Sequence, residues 1–156
     1  MEELTRTLLY EGYSLYPYRA SAPKNKMPIP FGVIYPEIYC AYNKYMHGSM
    51  QTECIVKGKK DTLLDISVKF LQVNNRDGGW TAVEREIKPG KMSIKNLLRY
   101  PVIFPFRGFD KKDISGQDCY GAVEGLMIVK ASPVKGKENA FRLTVIIENK
   151  TSFYRG

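Results

Sequence analysis

Tyrosine and basic side chains are concentrated near the start of the chain, where they could stack on a ligand and neutralise its charge. Eight of the 11 tyrosines lie within the first 45 residues, and these are Tyr10, Tyr13, Tyr16, Tyr18, Tyr35, Tyr39, Tyr42 and Tyr45. The basic residues among them are Arg19, Lys24, Lys26 and Lys44. Such a segment can cover a sheet, bind a protein, or bind single-stranded nucleic acid. We rank the three roles in that order.

Two cysteines and the single histidine are evenly spaced and raise the question of a metal site. Six residues separate Cys40 from His47, and six separate His47 from Cys54, with Cys119 as the one remaining thiol. Structural zinc sites normally contain a pair of ligands separated by only two to four residues, which this set lacks. A free cysteine more often behaves as a small apolar residue. We therefore predict no metal and no cofactor.

Two short motifs resemble fragments of catalytic or phosphate-binding sites. Ser21-Ala22-Pro23-Lys24 matches the Ser-x-x-Lys pattern of serine acyl-enzymes, but Pro23 disfavours the helix that would place the lysine beneath the serine. Gly58-Lys59-Lys60-Asp61-Thr62 lacks the leading glycine of a phosphate-binding loop. We therefore expect a protein that is not an enzyme and has no catalytic residues.

The chain is basic, and the excess positive charge lies mainly in its second half. Its 156 residues include 24 Lys and Arg and 16 Asp and Glu, for a net charge of +8. One stretch is especially basic, with Arg85, Lys88, Lys91, Lys95, Arg99, Arg107, Lys111 and Lys112. A nucleic-acid-binding face and a solvated lysine-rich surface both fit this charge. The second is favoured, because 16 lysines beside only three glutamines are typical of thermophiles.

Cysteine usage and hydropathy indicate the compartment. Three cysteines without short paired spacing do not suggest a disulfide framework, and Met1-Glu2-Glu3-Leu4 does not resemble a secretion signal. Near-apolar stretches such as Leu126–Val129 and Leu143–Ile147 are far shorter than the roughly 18 residues of a membrane span. We therefore predict a cytoplasmic protein with no membrane span.

Alternating apolar and polar residues predict most of the regular structure. Strands are predicted over Met50–Val56, Thr62–Val73, Trp80–Ile87, Val102–Phe106, Ala122–Ala131 and Phe141–Ile147. In the last of these, odd-numbered residues are predicted to face inward, while Arg142, Thr144 and Glu148 face outward. A turn is predicted over residues 74–79, and Ser93 is a candidate cap for a short helix over Ile94–Arg99.

Many short strands separated by Gly- and Asn-rich turns predict the fold class. We expect an all-β protein with an antiparallel β-sandwich in one domain over residues 1–156, with at most one short helix. Five of the nine prolines lie between Pro17 and Pro36, in a segment too apolar for a free linker. This proline- and tyrosine-rich N-terminal segment, residues 1–45, is predicted to be extended and packed on the sandwich.

Several strings of residues resemble a known family. Residues 10–25, from Tyr10-Glu11-Gly12-Tyr13 through Leu15-Tyr16-Pro17-Tyr18-Arg19 to Lys24-Asn25, are similar to the opening of an uncharacterised family found in NiFe-hydrogenase gene clusters of bacteria and archaea. Phe31–Pro36 and Met50–Cys54 resemble its next blocks, and Phe141–Val145 its closing strand. The resemblance implies an accessory role in hydrogenase assembly or maturation, and it implies no catalytic residues.

Taken together, these features predict a non-enzymatic, cytosolic protein-binding module, with a hydrogenase or its maturation apparatus as the implied partner. The predicted contact residues are Tyr13, Tyr16, Tyr18, Arg19, Lys24 and Asn25. The alternative is a nucleic-acid-binding module that uses the same tyrosines and the basic face. The sequence leaves the strand order and the oligomeric state open.

Overall fold

The computed structural model describes residues 32–76, 79–108, 111–112, 118–120 and 123–152. Within these ranges the strands are β1 (Ser49–Lys57), β2 (Leu63–Asp65), β3 (Val68–Arg76), β4 (Gly79–Ile87), β5 (Lys91–Ser93), β6 (Val102–Gly108), β7 (Lys111–Lys112), β8 (Asp118–Tyr120), β9 (Val123–Pro133) and β10 (Ala140–Asn149). The helices are α1 (Glu37–Cys40) and α2 (Ile94–Arg99). The predicted all-β, antiparallel class is confirmed, although the described residues contain two short helices instead of one at most.

The largest sheet has four strands in the order β1-β10-β9-β6. Each neighbouring pair is antiparallel and in regular register, from Ser49 opposite Glu148 in the first pair to Gly108 opposite Val123 in the last. β9 and β10 form a long hairpin in the centre of this sheet. Three further sheets, β2-β5, β3-β4 and β7-β8, have two strands each, and the sheets are open.

The inner face of the four-stranded sheet forms the core. Its buried residues on β9 and β10 are Met127, Val129, Leu143, Val145 and Ile147. Ile87, Met92 and Leu97, which come from β4, β5 and α2, belong to the same cluster. The β3-β4 and β2-β5 pairs therefore contribute side chains to the inner face of the larger sheet, and the predicted inward face of the last strand is confirmed.

Backbone hydrogen bonds show which groups of β1 point toward its neighbour. The Asn149 N–H donates to the Gly48 carbonyl at 2.8 Å, and the Gly58 N–H donates to the Asn139 carbonyl at 2.9 Å. Opposed residues in an antiparallel pair alternate between hydrogen-bonded and non-hydrogen-bonded. The even-numbered residues of β1 therefore bond to β10, and its odd-numbered residues direct their N–H and C=O groups away from the sheet.

The same alternation identifies the outward groups of β6 at the opposite side of the sheet. The alternation can be followed from β1 through β10 and β9 to β6 by means of the strand registers. It shows that the backbone groups of Ile103, Pro105 and Arg107 point away from β9. Proline has no N–H, so in a sheet it is tolerated where that group would face away from the ladder. Pro105 thus costs the sheet no hydrogen bond.

Helix α2 begins where the sequence predicts. Ser93 is extended, with φ −81° and ψ 144°, and its hydroxyl accepts a hydrogen bond from the Asn96 N–H at 3.2 Å. Ile94 and Leu97 are buried on the inner side of the helix. The cap satisfies one of the free N–H groups of the first turn and fixes the direction in which Ile94 enters the core.

Removal of this cap should destabilise the protein. We expect Ser93→Ala to lower the free energy of unfolding by about 1 kcal/mol, because the Asn96 N–H loses its acceptor. Urea denaturation followed by circular dichroism measures the change. Ser93→Asp supplies another acceptor and should stay close to the wild type. An equal loss in both variants would contradict a capping role.

The structure corrects two local predictions. The predicted strand Thr62–Val73 is divided into β2 and β3 by Ile66 and Ser67, which pair with neither sheet. The predicted turn starts too early, because pairing of β3 with β4 continues to Arg76 opposite Gly79. Thr144 lies on the outer face as predicted, although it is only 3% exposed there, and its hydroxyl donates a hydrogen bond to Glu53 on the adjacent strand.

None of the helices in the described part of the chain has the length and hydropathy needed to cross a membrane.

Candidate functional site

The structure describes residues 32–45 of the tyrosine-rich N-terminal segment, and we call residues 33–48, which include the connection to β1, the tyrosine segment. The predicted contact residues Tyr13, Tyr16, Tyr18, Arg19, Lys24 and Asn25 lie outside the described residues, as does the proline-rich stretch 17–36 up to residue 31. The tyrosine segment contains four of the tyrosines that the sequence singled out, and these are Tyr35, Tyr39, Tyr42 and Tyr45.

Local backbone bonds close the tyrosine segment into a compact loop around α1. Pro36, with φ −54° and ψ 143°, precedes the helix, and the Tyr35 N–H donates to the His47 carbonyl at 2.9 Å. Tyr42 and Met46 each donate an N–H to a carbonyl three residues earlier, at 3.2 and 3.0 Å. The two ends of the loop therefore meet, and its tip holds Tyr42 and Tyr45.

The loop is attached to the end of β10 by polar contacts from Asn149 and Lys150. The Asn149 side-chain amide donates to the Ile34 carbonyl at 3.3 Å, and its oxygen accepts from the Thr151 N–H at 3.0 Å. The Lys150 ammonium contacts the Glu37 carboxylate and lies 3.3 Å from that of Glu148. These contacts fix the backbone of the loop against the sheet.

The charge of Lys150 suits this attachment. Hydrogen bonding to Glu37, and then to Glu148, raises the pKa of Lys150 above its ordinary value. The stability that this shift contributes is present below the unfolded pKa and is lost only as the pH rises through the folded pKa, which is far above neutrality. The ammonium is therefore positive at all physiological pH values, although its ion pairs are exposed and weak individually.

Three of the tyrosine rings in this loop face solvent. Tyr39 is 41% exposed, Tyr42 is 88% exposed and Tyr45 is 59% exposed, and Ile38, directly before Tyr39, is also exposed. The Lys44 ammonium lies 5.2 Å from the centre of the Tyr45 ring, within the range of a cation–π contact. The first-ranked role, in which the tyrosines cover the sheet, is therefore wrong for Tyr42 and Tyr45.

We call Ile38, Tyr39, Tyr42, Lys44 and Tyr45 the tyrosine surface. Tyrosine combines a large rigid ring with a hydroxyl, and it is enriched in the centres of protein–protein interfaces. A ring that is held out by an anchored backbone loses little further conformational freedom on binding. The tyrosine surface is thus suited to contact a partner. The contacts of Asn149 and Lys150 with the loop, which hold the backbone of this surface in place, become visible only in the tertiary structure.

The candidate metal ligands occupy different settings. The Cys40 thiol lies 3.6 Å from the Pro36 carbonyl, in the geometry of a hydrogen bond within α1, whereas Cys54 is exposed on β1. His47 is exposed in the loop and contributes its backbone carbonyl to the Tyr35 bond. Among the residues that the structure describes, no three His, Cys, Asp or Glu side chains are grouped as metal ligands.

The basic stretch is divided among several elements. Its described members lie on β4, β5, α2, β6 and β7 and in the connections between them. Lys88 is 3.1 Å from Glu86, Arg107 is 2.8 Å from Glu124, and the Arg85 Nε–H donates to the Gln72 side chain at 2.9 Å. The Lys88 hydrogen bond also lowers the pKa of Glu86. Part of the positive charge is therefore balanced within the protein.

The sequence interpretation missed an apolar strip on the outer face of the four-stranded sheet. Ile103 lies opposite Ile128, and Ile128 opposite Ile146, so the three form one row across β6, β9 and β10. Ile103 is 58% exposed, and the other two are partly buried. The apolar runs Leu126–Val129 and Leu143–Ile147 contained the signal, because apolar residues at consecutive positions place apolar side chains on both faces of a strand.

Comparisons of the sequence with protein-family models and with curated proteins, and of the structure with solved structures, find no match.

Proposed function

We propose that this protein is a non-enzymatic accessory module that binds a protein partner through the tyrosine surface. The observation that carries the proposal is the exposure of Tyr42 and Tyr45 at the tip of a loop whose base is bonded to the end of β10. Exposed aromatic side chains on a firmly held backbone are the usual anchors of protein interfaces. The predicted contact residues Tyr13–Asn25 belong to the same proposal.

The partner class in this proposal comes from the family resemblance of residues 8–57 and 141–151. It is a hydrogenase or a protein that assembles one, in the cytoplasm of the cell. The proposal also includes the finer fold description, in which the small sheets and the four-stranded sheet are the two layers of a β-sandwich. The core cluster shared by β4, β5, β9 and β10 supports that arrangement.

A site-specific crosslinking experiment tests the binding surface. A photoreactive phenylalanine in place of Tyr42 should capture a protein partner in cells of the native organism, and mass spectrometry should identify a hydrogenase subunit or maturation protein. The same amino acid in place of Lys137, an exposed residue in the turn between β9 and β10, is the matched control. Equal capture from both positions would contradict a dedicated surface.

Binding of the purified partner should depend on Tyr42. We expect Tyr42→Ala to weaken the affinity about tenfold, because the ring and its buried contact area are lost at the interface. Isothermal titration calorimetry gives the dissociation constant. Tyr42→Phe should keep most of the affinity, and Ile103→Ala on the outer sheet face should leave it unchanged. A larger loss for Ile103→Ala would transfer the binding site to the outer sheet face.

A further inference from the structure

The outer edge of β1 presents a row of backbone hydrogen-bonding groups. Because the even-numbered residues of β1 bond to β10, the N–H and C=O groups of Ser49, Gln51, Glu53, Ile55 and Lys57 point away from the sheet. Within the part of the chain that the structure describes, no backbone hydrogen bond reaches these five residues from that side. Such an edge is a template for the addition of another strand.

β1 differs from β6, the strand at the other side of the sheet, in how its edge is protected. β6 carries Pro105 at an outward-pointing position, where the missing N–H prevents regular strand addition. β1 has nine residues without a proline, and it pairs with β10 without a register shift. Its length exceeds the common five or six residues of a strand, and Lys57 at its end is its only lysine.

The side chains of β1 are also largely uncovered. Eight of its nine residues are exposed, and they include apolar residues on both faces of the strand. Ile55, on the outer face, is 57% exposed, and Met50, on the inner face, is exposed as well. An additional strand at this edge would therefore remove apolar side chains from water besides satisfying backbone groups.

The charges of β1 indicate which strand fits there. If β1 pairs with an antiparallel copy of itself, the outward residues can be opposed in several registers. In the register that places Glu53 opposite Glu53, like charges meet at the symmetry axis. In the register that places Glu53 opposite Ile55, neither Glu53 nor Lys57 faces an opposite charge. With Ile55 opposite Ile55, Glu53 faces Lys57 twice, which is the favourable pairing for both charge and apolar contact.

We propose that the β1 edge binds the β1 edge of a second copy of this chain, antiparallel and in the register that opposes Ile55 to Ile55. A twofold axis at Ile55 makes the contact self-complementary, as in most homodimers. Glu53–Lys57, Ile55–Ile55 and Lys57–Glu53 would each exchange two backbone hydrogen bonds. The two four-stranded sheets would then form one continuous eight-stranded sheet. The dimer is independent of the tyrosine surface.

Sedimentation velocity of the full chain tests this assembly. We expect the wild type to form a reversible dimer that is populated at concentrations up to about 100 μM. For Ile55→Pro the dissociation constant of the dimer should rise about 30-fold, because the substitution removes both hydrogen bonds at the axis. The outward N–H of Ile55 makes no bond to β10, so circular dichroism should show an intact fold. Ile103→Pro, at the equivalent outward position of β6, is the matched control and should still dimerise.

Charge exchange tests the register independently of the proline variant. Because Glu53 also accepts a hydrogen bond from Thr144 and lies 3.8 Å from Arg142, circular dichroism must show that each charge variant keeps the fold. Glu53→Lys alone and Lys57→Glu alone should each weaken the dimer, whereas the double variant E53K/K57E should restore it to within about threefold. A wild type that stays monomeric at about 100 μM overturns the proposal. It is also overturned if dimerisation is lost with Ile103→Pro instead of Ile55→Pro, or if the double variant is no better than the single ones.

Discussion

Met127→Ala should lower the free energy of unfolding by about 2–5 kcal/mol, the usual cost of emptying a buried methionine site. Met127 is 0% exposed and lies on β9 opposite both Ile147 of β10 and Phe104 of β6. The loss combines the transfer free energy of the removed methylene groups with the cost of a cavity in a region where three strands meet. Chemical denaturation monitored by circular dichroism and fluorescence measures it.

Ile103→Ala is the control for Met127→Ala. Ile103 lies on β6 in the same sheet, but it faces the opposite side and is largely exposed. We expect a change in unfolding free energy of no more than about 0.5 kcal/mol, because truncation of an exposed side chain leaves no cavity. Similar losses for the two variants would mean that the outer face is as well packed as the inner one, contrary to the structure.

Gly125→Ala should be the second strongly destabilising substitution, with a loss of about 3 kcal/mol in the free energy of unfolding. Gly125 is buried on β9 opposite Phe106, and a Cβ at this position would overlap the Phe106 ring and the Glu148 carbonyl. The Phe106 ring lies with its centre 6.4 Å from that of Phe70 on β3. Because the carbonyl belongs to β10, the backbone must move, and overpacking of this kind is costly. Thermal and urea denaturation measure the loss.

A double variant separates the two overlaps at Gly125. Phe106→Ala alone removes the ring and should destabilise the protein by leaving a cavity beside Phe70. In Phe106→Ala/Gly125→Ala the new methyl group gains space on the ring side, so the combined loss should be smaller than the sum of the single losses. Additive losses would show that the ring does not approach Gly125, and the proposed packing would be wrong.

Variants of the core and of the surfaces should affect different measurements. Met127 and Gly125 lie on the inner side of the sheet, whereas Tyr42 and Ile55 are exposed. Core variants are expected to change the unfolding free energy. Tyr42→Ala is expected to change partner affinity, and Ile55→Pro to change self-association, each with the fold kept. A protein-binding role and a dimer can therefore be tested separately from stability and from each other.

Local patterns predicted the parts of the fold that depend on neighbouring residues. Alternation at Phe141, Leu143, Val145 and Ile147 identified the inner face of β10, because successive side chains of a strand point to opposite sides. Ser93 marked the start of α2 for a similarly local reason, since a hydroxyl before a helix can accept a hydrogen bond from its first turn. Both signals act within a few residues of the chain.

Predictions that required long-range contacts were incomplete. The Thr62–Val73 alternation continues through Ile66 and Ser67, yet the chain changes sheets there, because β2 pairs with β5 and β3 pairs with β4. Thr144 was predicted to face outward from its position in β10. It does lie on the outer face, yet it is only 3% exposed there, where its hydroxyl donates to Glu53, far away in sequence. The partner strands that decide these cases are not encoded in local periodicity.

The amino-acid sequence by itself determined the all-β class, the inner face of the last strand, the helix cap and the abundance of tyrosine before residue 45. Tertiary structure decided the strand order, the exposure of Tyr39, Tyr42 and Tyr45, and the edge of β1, which pairs with no other strand than β10 among the described residues. The physical reason is that composition and periodicity describe what each segment can bury. Whether a ring or a backbone edge is covered depends on which distant segments lie against it. Asn149 and Lys150, which are distant in sequence, hold the tyrosine segment through such contacts.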